Sequence, residues 1–73
     1  MFQGKPENYQ LNIKTAEGFR ARPAVLTSPT GEQEPAVVLH SPGRVHGVLP
    51  IADALRISNE IADAVEASER ATP

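Results

Sequence analysis

The chain has no cysteine and no tryptophan, and only three aromatic residues, Phe2, Tyr9 and Phe19, in 73 positions. Without thiols, disulfide staples, cysteine-ligated zinc and thiol catalysis are excluded. With so few large rings, a deep ligand pocket is not expected. No apolar run approaches the roughly 20 residues of a membrane-spanning helix. The opening Met1-Phe2-Gln3-Gly4-Lys5-Pro6-Glu7 lacks the apolar centre of a secretion signal. The expectation is a cytoplasmic protein. A net charge of −2 argues against strong nonspecific attraction to nucleic acid or anionic lipid.

Seventy-three residues make one domain. A chain this short hides only about 60% of the surface its unfolded form exposes. Domains of this size commonly add a disulfide, a metal or a partner subunit. With no cysteine present, a second copy of the chain is the staple still open, and a homodimer is expected. The domain is placed at 8–69, with 1–7 as a flexible lead-in and 70–73 as a tail.

What the chain does contain is two hydrophobic periods. Tyr9-Gln10-Leu11-Asn12-Ile13-Lys14-Thr15 alternates apolar and polar, which predicts a half-buried strand over about 9–15. Ala16-Glu17-Gly18 suits a three-residue hairpin loop into a second strand over about 19–27. That register pairs Ile13 with Ala21, Leu11 with Pro23 and Tyr9 with Val25, and sets Lys14 beside Arg20 and Asn12 beside Arg22. Pro23 has no N–H to give a ladder, so it belongs on an edge or at a bulge. Ser28-Pro29-Thr30-Gly31 carries turn chemistry. Pro35-Ala36-Val37-Val38-Leu39-His40 reads as a central strand over about 35–40. Ser41-Pro42-Gly43-Arg44 suits a type II turn into a short strand or extended lead-in over about 45–48.

From Pro50 the period becomes 3.6. Ile51, Ala54, Leu55, Ser58, Ile61, Ala62 and Val65 fall within about 120° of one another on a helix over about 50–68, with Pro50 at its first position. Asp53, Arg56, Glu60 and Asp63 take the opposite side. The fold class expected is therefore α+β: an antiparallel sheet of three to four short strands packed against one C-terminal helix, with Leu11, Ile13, Leu55 and Ile61 meeting in a shared interior.

The strands running into Leu49-Pro50-x-x-x-Ala54-Leu55 and then Ile61-Ala62-x-Ala64-Val65 resemble the small uncharacterised strand-then-helix proteins of actinobacteria and their phages. The resemblance covers roughly residues 35–68. Those proteins typically carry Thr, Ser or Asp before the helix-starting proline, where this chain has Leu49. The resemblance implies a host- or phage-encoded accessory protein that works through protein contacts, and it implies no shared activity.

The chemistry-bearing residues do not gather into catalytic patterns. With a two-residue Pro42-Gly43 turn, His40 faces Val45 and Leu39 faces His46, so the two histidines fall on opposite sheet faces with no third metal ligand at a suitable spacing. The serines lack a nucleophile-elbow or Ser-x-x-Lys setting, and the glycines form no phosphate loop. No catalytic, cofactor or metal residue is assigned and no cofactor is expected. Charge is unevenly spread: residues 50–69 hold Asp53, Glu60, Asp63, Glu66 and Glu69 against Arg56, while residues 9–27 hold Lys14, Arg20 and Arg22 against Glu17. The row Lys14, Arg20, Arg22 would suit an acidic protein, a phosphate backbone or the acidic helix of a second copy, or simply extend into water. Ile57, about 40° beyond the helix stripe beside Ala64, is a place for a subunit contact. These five residues are the candidate interaction surface of a noncatalytic protein-interaction module, a regulatory or assembly accessory whose protein partner the sequence does not identify. The alternative is a nucleic-acid binder that uses the basic sheet face.

Overall fold

The structure is a computed structural model that describes residues 2–71. After a 3-10 turn at Pro6–Asn8, the chain forms α1 (Tyr9–Gly18), β1 (Arg20–Thr27), β2 (Gln33–Ser41), β3 (Arg44–Pro50) and α2 (Ile51–Ala71). The three strands make one antiparallel meander in the order β1-β2-β3. The α+β class, the antiparallel sheet and the C-terminal helix match the sequence reading. The β-branched and leucine residues at 37–39 hold the centre of the sheet, as their apolar run predicts.

The first predicted strand does not exist. Residues 9–15 belong to α1, so the 9–15/19–27 hairpin and its register are corrected. On a helix Tyr9 and Ile13 lie about 40° apart, while Leu11 points to the far side. This helix has no coherent apolar face, and its only substantial packing is against the preceding 3-10 turn. Leu11 is 65% exposed and Leu55 61% exposed, and Ile13 and Ile61 are exposed as well, so the expected shared interior is not formed. Alternation is a signature of strands only where a neighbouring strand accepts the ladder. Here β1 already pairs with β2, and its other edge is interrupted by Pro23.

Both turns use the residues the sequence marks for them. The N–H of Gly31 donates to the carbonyl of Ser28 at 2.9 Å, and the Ser28 N–H donates to the Glu32 carbonyl at 2.8 Å. The N–H of Glu32 donates to Ser28 Oγ at 3.1 Å, tying the β1–β2 loop together. Gly43 has φ +75°, as the third position of a type II turn requires. Ser41 pairs with Arg44 and His40 with Val45, as that turn dictates. The ladder then shifts, so Leu39 faces Gly47 rather than His46. A bulge takes up one residue of β3, and the predicted pairing of Leu39 with His46 is corrected accordingly. Pro50 ends β3 opposite Ala36 rather than opening the helix.

The interior is very small. Ala36, 4% exposed, is the one buried apolar residue among those described, and no large side chain is fully buried. The radius of gyration is 15.6 Å, against about 11 Å for a compact chain of this length. α2, at 21 residues, is about 31 Å long, whereas the seven residues of β3 span about 23 Å. Every residue of α2 from Ser58 to Ala71 is exposed, so the C-terminal part of the helix overhangs the sheet.

Two outcomes follow from this architecture. Removing residues 1–18 should change unfolding free energy by less than about 1 kcal/mol, because a ten-residue helix without tertiary packing is marginal by itself. A drop of several kcal/mol in urea unfolding would show that α1 is packed after all. Gly43→Ala should cost about 1–2 kcal/mol, since its left-handed φ disfavours a Cβ. Gly47→Ala should be tolerated, its added Cβ meeting only Leu49 Cδ2 at 3.9 Å.

Candidate functional site

Side-chain alternation divides the sheet into two faces. Ala21, Val37, Leu39 and Leu49 share the face on which α2 lies, and with the helix they line an open groove of about 400 Å³. The helix contributes Ile51, Ala54, Leu55, Ile57, Ser58 and Ile61 to that groove. It is almost wholly apolar, and the same face continues past Ile51 and Val37 to Pro23 and Pro35.

The apolar arc of α2 is wider than one sheet can cover. At 100° per residue it runs about 160°, from Ile57 to Leu55. Ala54 and Ile57, on one flank, are half-buried. The structure thus sets Ile57 on the sheet side of the helix, not beyond the packed stripe as the helical projection suggested, while Ala64 stays exposed. The other flank, carrying Ala62 and Leu55, is open, with Leu55 61% exposed, and Val65, in the middle of the arc, is 53% exposed.

The accessible surface expresses the same imbalance. It is 6277 Å² for a 7.8 kDa chain, where a folded monomer of that mass exposes about 4,400 Å². Part of the difference belongs to α1, which stands off the sheet. Another part belongs to α2, whose residues 58–71 are all exposed.

The polar back of α2 is conventionally solvated. Arg56 bonds Glu60 at 2.9 Å and lies 3.6 Å from Asp53, and Arg70 bonds Glu66 at 3.2 Å. The hydrogen bond and charge of Glu60, then Asp53, raise the Arg56 guanidinium above its ordinary pKa. All these groups are exposed, and such pairs chiefly favour the helix locally.

The basic row is not assembled. Lys14 lies on α1, whereas Arg20 and Arg22 lie on β1, on the sheet face turned from α2. Arg20 folds back, its Nη1 donating to the carbonyls of Glu17 at 2.7 Å and Phe19 at 2.8 Å. It thereby closes the C-terminal end of α1, where a cation is favoured. Sequence reasoning placed these bases by a hairpin the chain does not form, and so missed the capping role.

A serine–histidine pairing lies at the bulge. Ser41 Oγ and His46 Nε2 are 2.8 Å apart, and the His46 ring lies 4.7 Å from Phe19 at a tilt of 43°. Ser41, His46 and Phe19 share one sheet face, Ser41 and His46 as diagonal neighbours across the β2–β3 turn. The contact ties the β2–β3 turn to the start of β1. Among the described residues no group of three His, Asp or Glu side chains is placed to hold a metal, and no helix is long and apolar enough to cross a membrane. Compared with protein-family models, curated proteins and solved structures, the chain matches none at a significant level.

His46→Ala should lower the unfolding free energy by about 1–2 kcal/mol, the worth of one hydrogen bond and one ring contact. Ser41→Ala should cost about half as much. Unchanged urea midpoints for both variants would show that the contact is inconsequential.

Proposed function

We propose that this chain is a noncatalytic protein-interaction module that works as a homodimer, a regulatory or assembly accessory of bacterial or phage origin acting in the cytoplasm. One observation carries the reading: a continuous apolar surface, formed by the unused flank of α2 and the sheet face beside it, on a chain with almost no interior. Exposed apolar patches larger than a few hundred Å² mark association surfaces on soluble proteins. The surface exceeds that of a compact monomer by about 1,900 Å², part of it on α1, and an obligate homodimer buries roughly 1,000–2,500 Å² per subunit. A second copy is the occupant that also completes the fold, since it supplies the apolar contact that one 73-residue chain lacks. The resemblance of residues 35–68 to strand-then-helix proteins of actinobacteria and their phages supports an accessory role.

Sedimentation equilibrium at low micromolar concentration should give twice the chain mass of 7.8 kDa. Leu55→Asp, which puts a charge on the open flank, should shift the protein to the single-chain mass. A single-chain mass for the unaltered protein at high micromolar concentration would sink the homodimer.

A further inference from the structure

The open flank of α2 has an internal order that fits one arrangement of two copies, and we infer that the homodimer is closed by antiparallel packing of α2 against α2 about a two-fold axis near residue 60. The inference rests on the homodimer reading above and specifies its geometry. Ile51, Leu55, Ser58, Ala62, Val65 and Glu69 recur at alternating spacings of four and three and fall within about 80° of one another. That is the spacing of a helix–helix seam. Its midline lies about 90° around the helix from that of the Ala54–Ile57 flank, and Ile51, Leu55 and Ser58 also line the groove beside the sheet, so the partner helix would lie over the mouth of that groove.

The seam is large near its ends and small in its middle. An antiparallel pair sets Leu55 against the partner's Val65 and Ser58 against the partner's Ala62, so big side chains meet at either end while the backbones approach closely at the axis. Ser58 and Ala62 are exposed in the single chain, so nothing in it obstructs that approach.

Charge selects the direction. A parallel pair would set Glu69 against its own copy inside the seam, a like-charge contact. It also stands in the last turn of α2, where the macrodipole disfavours an anion. In the antiparallel pair Glu69 lies beside the partner's Ile51, at the first turn of the partner helix, whose free N–H groups and positive dipole end favour a carboxylate. The overhanging C-terminal half of each α2 then runs along the partner's groove, bringing Val65 to the apolar wall beside Leu55.

A chain without cysteine makes the test clean. Leu55→Cys and Val65→Cys chains are prepared separately, then oxidised alone and as a mixture. In the proposed register residue 55 is about 15 Å along the helix from its own copy, beyond the roughly 7 Å disulfide limit, whereas 55 and 65 are opposed. The expected result is a crosslinked dimer from the mixture and from neither chain alone, reproduced by the second pair, Ile51→Cys with Glu69→Cys. Crosslinking of each chain alone would overturn the antiparallel direction. A dimeric mass with no crosslink from either pair would overturn this geometry and leave the homodimer standing, while a monomeric mass would remove both. Ala62→Trp, at an exposed position, should raise the dimer dissociation constant at least tenfold without changing the helical circular dichroism, and an unaltered constant would refute the close approach.

Discussion

The whole molecule turns on a mismatch between the apolar arc of α2, about 160° wide, and the single three-stranded sheet available to cover it. One flank, through Ala54 and Ile57, is half-buried against the sheet. The rest of the arc meets water in the isolated chain. Among the described residues only Ala36 is fully withdrawn from solvent, so the chain has little of the buried area that normally offsets the conformational entropy of folding. Its stability and its capacity to associate are then expressions of one apolar surface, and both respond to the same substitutions on α2.

The central pieces of the fold could be read from the residues because local and long-range preferences agree there. Pro35 to His40 is a nearly continuous apolar run and becomes part of the middle strand. Pro42-Gly43 makes the turn it encodes, and the 3.6 period from Ile51 becomes a long helix. The segment 9–15 could not be read in the same way. Its alternation describes a strand only if an edge is free to receive it, and strand edges are a tertiary property. Gln10, Lys14, Ala16 and Glu17 favour helix as readily once that partner is missing.

The candidate surface was legible in kind rather than in place. Periodicity showed that α2 has an apolar side and hinted, through Ile57, that the side is too wide for one contact. A helical projection has no reference direction, however, and cannot say which flank the sheet will claim. Likewise the bulge beside His40 leaves no mark in the sequence. The three bases were grouped by a strand pairing that does not occur, and Arg20 instead serves the backbone at the end of α1.

Pro23 stands in the middle of β1, the outer strand on one side of the sheet. Growth of a sheet without limit, as in a fibril, requires two competent borders, because each added molecule must both dock and be docked upon. A proline removes one main-chain donor from its strand. A polypeptide that displays this much oily surface would otherwise be a candidate for runaway polymerisation, and here one border is poorly suited to extension. Growth along the sheet direction is discouraged, and closed pairs are favoured over open-ended chains.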